Sequence, residues 1–277
     1  MAEGSTGTEP AATFAGEPYR HLKVRRDGDL LWVRLDDPER ANALSPAMLG
    51  EIADLYSRPL RREGIRAVLL SGEGRHFSAG ADLGHLEALK DAGLDENRRD
   101  SESLRRLFES VLRQDALTIA LVQGACVAGG CGLATAHDYV IADPKARFLY
   151  SEVKIGFVAA LVATYLTLRL RGSHIRELLL NPQPLDAPRA LEIGLINGIA
   201  EGESLEAAGE RLAGEVLANA SSESIARTKA LLLDLFGRSL EERLRHAAEV
   251  NARSRGTEDC RHGISTFLKA KKAPRWR

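Results

Sequence analysis

The sequence predicts an α/β fold: a core of strands alternating with helices, followed by a helical C-terminal region. Two observations carry this prediction. As far as about residue 150, short apolar runs alternate with patterns of helical periodicity, which is typical of βαβ crossovers and a largely parallel sheet. Beyond that residue, nearly the whole chain has the punctuation of helices. The 277 residues are enough to bury a sizeable core.

Five apolar runs are the candidate strands. They are residues 30–35, 65–70, 118–122, 139–141 and 148–150. A helix is expected between the first two runs, because Ser45 and Pro46 supply an N-cap and a proline at the first helical position. Met48, Ile52 and Leu55 recur at helical spacing, which predicts that one face of this helix packs on the core.

Capping residues divide the C-terminal part of the chain into helices. Asp186 can cap a helix that stops at Gly194. Ser239 and Glu242 have the spacing of a capping box. Further candidate N-caps are Ser204 and, for the last helix, Thr257.

We predict three regions along the chain. Residues 1–18 are expected to be a disordered tail, residues 19–200 the α/β core, and residues 201–277 a helical region. The tail is rich in Gly, Ser, Thr, Pro and Ala, a composition that does not support a packed core. It contains no Lys or Arg and so lacks the basic start of a signal peptide.

The composition argues against several classes of function. A net charge of −1 and an aromatic content of 5% give no basic surface or stacking platform for nucleic acid. No apolar run reaches the roughly 18 residues of a membrane span, so no membrane partner is expected. Three cysteines, an odd and low count, indicate a reducing, cytoplasmic location. They lack zinc-site spacing, so no metal is expected.

Two glycine-containing loops each follow a predicted strand. The first loop is residues 71–83 and the second loop is residues 123–132. Ligands of open α/β sheets bind at the carboxyl ends of strands, and the N–H groups that begin the next helix lack intrahelical partners. Two such groups aimed at one point would stabilise an oxyanion. Either loop alone is more typical of a tight turn or close packing, and neither matches a nucleotide-binding fingerprint.

Taken together, the two loops resemble those of the crotonase superfamily, the enoyl-CoA hydratase/isomerase family. The segments that carry the resemblance are RANAL at 40–44, FSAGADL at 77–83, GACVAGG at 124–130, FLYSEVKIG at 148–156 and ALEIGLIN at 190–197. They occur in the family's order, and the similarity runs from about Val24 to Trp276. Ala128 departs from the pattern, because it stands at the first glycine of the family's triplet. The resemblance implies the family's spiral of ββα units.

The resemblance also implies a substrate and a site. The substrate would be an acyl-CoA thioester, with no cofactor beyond the coenzyme A that it carries. The backbone N–H groups of Ala81 and Gly129 would form the oxyanion hole. The CoA-binding residues would be Arg40, Ala41, Ala79, Gly80, Asp82, Leu83, Phe267 and Lys271. Family members usually form trimers or hexamers, so the C-terminal helical region is expected to mediate trimerisation and to serve a neighbouring subunit's site.

The acid/base residues leave the reaction open. Familiar hydratases of the family use two glutamates; the second matches Glu152, whereas the first falls at Gly132. One carboxylate in a partly apolar pocket suffices for proton shuttling, as in the isomerases. Some hydratases of branched or dicarboxylic enoyl-CoAs, resembling methylglutaconyl-CoA hydratases, have a similar glycine. Hydration and isomerisation therefore stay open, with decarboxylation as an alternative and a catalytically weak acyl-CoA-binding protein as an alternative of another class.

Other polar side chains are expected to be structural. His85 is expected at the surface rather than in the acyl pocket, and His137 at a helix end where a cation is favoured. Tyr150 is expected in the core, and Cys131 as a small packing residue. Residues 86–110 are expected to line the acyl pocket.

Overall fold

The structure is a computed structural model that describes residues 19–276, so the tail predicted for residues 1–18 lies outside the described residues. Its strands are β1 (Leu22–Asp27), β2 (Leu30–Leu35), β3 (Ala67–Gly72), β4 (Leu117–Val122), β5 (Ala125–Val127), β6 (Tyr139–Ala142), β7 (Arg147–Leu149), β8 (Leu185–Asp186) and β9 (Gly198–Ile199). Its helices are α1 (Pro46–Ser57), α2 (Leu83–Leu89), α3 (Leu94–Arg113), α4 (Gly129–Thr135), α5 (Ala160–Leu166), α6 (Gly172–Leu180), α7 (Ala187–Glu192), α8 (Leu205–Asn219), α9 (Ser222–Asp234), α10 (Leu240–Arg255) and α11 (Glu258–Ala270).

The main sheet has the strand order β1-β2-β3-β4-β6-β9. Only β1 and β2 pair antiparallel; every later pair in this sheet is parallel. The register sets Ala67 opposite Leu117 and Leu70 opposite Ala120, so β3 and β4 end side by side. A smaller sheet has the order β5-β7-β8. The α/β prediction is confirmed, and the carboxyl ends of β3 and β4 bring the first and second loops to one edge.

The predicted strands agree with the structure to within two residues, but four strands were missed. β3 begins at Ala67 rather than residue 65, and β7 ends at Leu149 rather than residue 150. The missed β1 is a largely exposed edge strand of sequence LKVRRD, which has too few apolar residues to give a strand pattern. The missed β5, β8 and β9 are two or three residues long, too short for any periodicity.

Helix α1 forms where the sequence predicts it. The Ser45 hydroxyl accepts the N–H of Met48 at 3.3 Å, and Pro46 is the first helical residue. Met48, Ile52 and Leu55 are fully buried, each with 0% of its surface exposed. This face packs between the sheet and α3.

The predicted caps in the C-terminal part are confirmed. Asp186 accepts the N–H of Arg189 at 2.9 Å to begin α7, and Gly194 follows that helix with φ +81°. Ser239 and Glu242 form both bonds of a capping box at the start of α10. Ser204 caps α8 and Thr257 caps α11, as predicted. Every element described after Ile199 is a helix.

The core lies on both faces of the main sheet. The larger cluster packs α1, α3 and α4 against one face. The smaller cluster packs α8 against the other, where a Cβ on Gly209 would stand 2.7 Å from a methyl of Leu121. Helices α9, α10 and α11 bury no residue fully. Their apolar side chains therefore remain available for contact outside this chain.

Candidate active site

The side chain of Asn42 fixes the first loop. Its Nδ2 donates to the carbonyl oxygens of Glu73 (3.0 Å) and His76 (2.9 Å), and its Oδ1 accepts the N–H of Asp37 at 3.0 Å. Its own carbonyl accepts the Ser78 hydroxyl at 2.8 Å. Asn42 is fully buried with φ +53°, a left-handed conformation that asparagine tolerates better than most residues. The sequence pattern gave no separate signal for this role.

Asp82 ends the first loop and begins α2. Its Oδ1 accepts the N–H groups of Gly84 (2.9 Å) and His85 (3.3 Å), which makes it the N-cap of that helix. Its Oδ2 lies 2.9 Å from Nη1 of Arg40, and the same guanidinium contacts Asp37 at 2.7 Å. The Arg40 pair ties the segment before α1 to the end of the first loop.

The second loop turns sharply at Ala128. This residue has φ +47° and ψ −118°, a backbone conformation that favours glycine. Its N–H donates to the carbonyl of Leu149 at 2.7 Å, which holds the turn against β7. Gly129 then begins α4. Alanine at this position, where the family pattern has glycine, therefore carries backbone strain beside the candidate oxyanion hole.

The two loops pack directly on each other. Ser78 and Cys126 form a parallel bridge, and the N–H of Val127 donates to the Ser78 carbonyl at 2.9 Å. A Cβ on Gly80 would stand 2.6 Å from the Val127 oxygen, and a Cβ on Gly130 would stand 2.8 Å from the Ser78 Cβ. Close packing, the role that either loop alone suggests for its glycines, is therefore what brings the two loops together.

A cavity of about 210 Å³ opens where the loops meet. Six predicted site residues line it: Ala79, Ala81, Asp82, Leu83, Gly129 and Glu152. Among residues 19–276, no hydrogen bond uses the N–H of Ala81 or of Gly129. The two residues named from the sequence thus line one cavity with their N–H groups unused, as a developing oxyanion would require.

Glu152 faces the same cavity from a single 3-10 turn, Glu152–Ile155. Its Oε2 is buried and has no hydrogen-bond partner among the described residues. Burial raises the pKa of this carboxyl above its ordinary value, although the backbone N–H groups of Glu152 and Ser151 oppose the shift. A partly desolvated carboxyl with an unpaired oxygen can accept and return a proton.

Gly132 has no room for a side chain. A Cβ there would lie 2.8 Å from Cγ2 of Val162 and 2.9 Å from both Cζ of Phe108 and the hydroxyl of Tyr165. The Tyr165 hydroxyl donates to the Gly132 carbonyl at 2.7 Å. The position that the resemblance assigns to the family's first glutamate is therefore enclosed by side chains of α3 and α5. Any second acid/base group in this protein must come from another position.

The structure places His85 on the cavity wall, the less favoured of the two expectations, because α2 follows directly from the first loop. The side chain is also 30% exposed. Its Nε2 lies 2.7 Å from Oδ1 of Asp100 on α3. Asp100, Ser101 and Leu104 lie on the cavity wall, within the segment 86–110 predicted to line the acyl pocket. No local sequence pattern predicts that α2 and α3 lie close enough for this contact.

The other expected structural residues are buried. His137 is structural, but the reason given from the sequence was wrong: burial lowers its pKa to about 3, so the ring is neutral. Its Nε2 pairs with the Tyr56 hydroxyl at 2.8 Å. Tyr150 lies in the core, and the Cys131 thiol donates to the Cys126 carbonyl at 2.8 Å.

Some predicted CoA-binding residues lie at or beside the cavity, whereas Phe267 and Lys271, at the C-terminal end, do not line it. The carbonyls of Ala41 and Gly80 hold the first loop, through the N–H groups of Ala79 (2.8 Å) and Leu44 (2.7 Å). Phe267 is 53% exposed on α11 and does not line the cavity. Lys271, equally outside the cavity, ends that helix with φ +55°.

The described residues give no sign of a membrane span or a metal centre. Residues 19–276 contain no helix long and apolar enough to cross a bilayer. In the same part of the chain, no three His, Cys, Asp or Glu side chains are grouped as metal ligands. A larger groove of about 660 Å³ is lined by none of the predicted catalytic, oxyanion-hole or CoA-binding residues, although Arg106, Glu109 and Ser110 of the segment 86–110 line it.

Comparisons with known proteins identify the family. The sequence profile of the enoyl-CoA hydratase/isomerase family matches residues 25–277. A Thermus thermophilus protein, whose name assigns it provisionally to the enoyl-CoA hydratases, is 46% identical over 90% of this chain and 98% of its own length. A peroxisomal Delta(3,5)-Delta(2,4)-dienoyl-CoA isomerase of Arabidopsis thaliana is 28% identical over 94% of this chain and 98% of its own.

A solved structure shows the same fold. The crystal structure of an enoyl-CoA hydratase from Shewanella pealeana superposes with a TM-score of 0.84, at 31% identity, over 93% of this chain and 96% of that one. The crotonase fold predicted from the sequence is thereby confirmed, and the chain is an enzyme of the enoyl-CoA hydratase/isomerase family.

Proposed function

We propose that the protein hydrates an enoyl-CoA, with Glu152 as its acid/base residue. The observation that carries the proposal is the shared cavity. Glu152, whose Oε2 has no hydrogen-bond partner among the described residues, lines the same cavity as Ala81 and Gly129, whose N–H groups are unused. Hydrogen bonds at the thioester oxygen make both addition at Cβ and proton transfer at Cα feasible, because each develops an enolate.

The proposed steps balance within the cavity. The Glu152 carboxylate accepts one proton of a water molecule as the water oxygen bonds to Cβ. The electrons of the Cα=Cβ bond shift toward the thioester, whose oxygen becomes anionic against the two N–H groups. The protonated Glu152 then delivers its proton to Cα, which regenerates the carboxylate. The raised pKa of Glu152 suits both halves of this exchange.

Coenzyme A is proposed to lie along the outer edge of the first loop. Ala79, Asp82 and Leu83 line the cavity there, and Leu83 is 77% exposed. Arg40 offers a half-exposed cation beside Asp82, with 53% of its side chain accessible. The remaining residues proposed for this role are Ala41, Gly80, Phe267 and Lys271.

Assembly into trimers or hexamers is part of the proposal. Five of the large apolar side chains that are exposed among the described residues lie on the last two helices: Leu240, Leu244, Ile264, Phe267 and Leu268. A folded chain seldom leaves so many apolar side chains unpartnered on neighbouring helices. Contact with a second copy would cover them and would bring Phe267 and Lys271 toward another subunit's site. The three cysteines are free, which fits action in the reducing cytoplasm.

Double-bond isomerisation is the second candidate reaction. The enclosed Gly132 favours it, because no carboxylate can stand at the family's first glutamate position. Asp82 and Asp100 also line the cavity, but each is paired, with Arg40 and His85 respectively. One unpaired carboxylate suffices to move a proton between two carbons of an allyl system. Decarboxylation and acyl-CoA binding without turnover remain the further alternatives.

Ultraviolet absorbance of the conjugated thioester distinguishes these reactions. Hydration removes the absorbance of crotonyl-CoA, whereas isomerisation creates it from a 3-enoyl-CoA. We expect loss with crotonyl-CoA, and a decrease in kcat of at least about 10²-fold in Glu152→Gln with acyl-CoA binding retained. Undiminished turnover in the variant would exclude Glu152 as the acid/base residue. Tight acyl-CoA binding without any absorbance change would favour the binding protein.

A further inference from the structure

We propose that His85, oriented by Asp100, holds the water molecule that adds to the substrate. The inference rests on the proposed hydration and names the group that acts in place of the carboxylate absent at Gly132. It starts from the position of His85 in the cavity that also contains Glu152 and the candidate oxyanion hole.

The Asp100 contact fixes which imidazole nitrogen carries a hydrogen. Nε2 of His85 lies 2.7 Å from Oδ1 of Asp100, and a carboxylate only accepts hydrogen bonds. In the neutral ring Nε2 therefore carries the hydrogen, and Nδ1 has a free lone pair. Among residues 19–276, no hydrogen bond engages Nδ1. The pair thus presents an unused acceptor on a side chain that lines the cavity.

This acceptor complements Glu152. A water molecule has two hydrogens to donate, and an oriented attack at Cβ needs both of them engaged. The Glu152 carboxylate accepts a hydrogen bond from the hydrogen that will be transferred to it. Nδ1 of His85 accepts a hydrogen bond from the other hydrogen, which stays on the oxygen and ends in the product hydroxyl. No proton is left on His85, so the cycle closes through Glu152 alone.

Each member of the pair is placed by its own helix. His85 lies in the first turn of α2, where its N–H is held by Asp82 at 3.3 Å. Asp100 lies in the 20-residue helix α3, which contacts α1 extensively through its buried side. Both residues line the cavity, and their side chains are 30% and 32% exposed.

The test separates water addition from proton transfer at Cα. Hydration of crotonyl-CoA needs both groups, whereas exchange of the α-proton of butyryl-CoA in D₂O needs Glu152 and the oxyanion hole alone. For His85→Ala we expect kcat for hydration to fall about 10²-fold, the loss typical of a misplaced reactant, with α-proton exchange within threefold of wild type. Asp100→Asn should show a smaller decrease in hydration, also with exchange retained.

His174→Ala is the matched control, because His174 also pairs with a carboxylate, Glu177, but lies outside the cavity. It should leave both reactions unchanged. Unimpaired hydration in His85→Ala, or a parallel loss of hydration and exchange, would overturn the role of His85. Wild-type enzyme that exchanges the α-proton without hydrating crotonyl-CoA would overturn hydration and the role of His85 together, while Glu152 would keep its assignment.

Discussion

The Tyr165 hydroxyl donates to the Gly132 carbonyl at 2.7 Å, and the hydroxyl oxygen would stand 2.9 Å from any Cβ placed on Gly132. One residue of α5 thus both satisfies the backbone of α4 and blocks a side chain there. The loss of the family's first glutamate is therefore built into the packing, and restoring that glutamate alone cannot restore its function.

Gly132→Glu should lower stability without increasing hydration, because Val162 and Phe108 also occupy the space that the side chain needs. The smaller change Gly132→Ala should reduce the free energy of unfolding by about 2 kcal/mol through overpacking, measured by urea titration. Gly50→Ala is the control. Gly50 lies within α1 with nothing within 4 Å of a new Cβ, so alanine should raise stability by about 1 kcal/mol. A stable, more active Gly132→Glu would contradict this account.

Glu152→Gln should be more stable than the wild type at neutral pH. The carboxyl has a raised pKa in the folded state, so its stabilising contribution is complete below the unfolded-state pKa and declines as pH rises through the folded-state value. Glutamine lacks the charge that burial disfavours. Thermal unfolding from neutral pH down to about pH 4 should show the difference between the two proteins shrinking. A variant less stable than wild type at pH 7 would show that the carboxylate is instead stabilised in the fold.

Ala128→Gly should stabilise the protein. The residue has φ +47° and ψ −118°, and relief of that strain should outweigh the added flexibility of glycine by about 1 kcal/mol in the free energy of unfolding. The control Ala53→Gly, in the interior of α1, should cost about 1 kcal/mol instead. Equal losses at the two positions would mean that Ala128 is not strained.

Asn42→Ala should damage both stability and turnover. It removes three side-chain hydrogen bonds and leaves the half-buried carbonyls of Glu73 and His76 without these partners, for a loss of about 3 kcal/mol. Because the first loop carries Ala81, kcat should fall more than acyl-CoA affinity. The exposed Asn97 donates one bond, to Ala92, and its replacement by alanine should cost about 0.5 kcal/mol with kcat unchanged.

The proposed assembly is tested by Leu244→Asp on α10, where 63% of the leucine is exposed. Sedimentation of the wild type should give a threefold or sixfold multiple of 30.1 kDa, and the variant should dissociate. Leu180→Asp is the control, since this leucine is 71% exposed on α6, away from the last two helices. A monomeric wild type would remove the assembly and the shared-site role of Phe267 together.

The helix starts show what local sequence can predict. Ser45, Asp186 and Ser239 each accept the N–H of the residue three positions ahead, so the whole interaction lies within one short segment. Strand β2 is also predictable locally, because its six residues alone specify a strand with alternating burial. Strands β8 and β9 are two residues long and exist only because a neighbouring strand pairs with them. No local pattern could have predicted them.

The candidate site divides in the same way. By itself the sequence determined the order of the motifs and the family, and it singled out Ala81, Gly129 and Glu152 as candidate site residues, because each lies in a short contiguous pattern. The side-by-side ends of β3 and β4, the pair of His85 with Asp100 and the enclosure of Gly132 by Tyr165 were decided by the tertiary structure. These contacts join residues 15 to 50 positions apart along the chain. They depend on how the sheet and helices pack, which no single segment specifies.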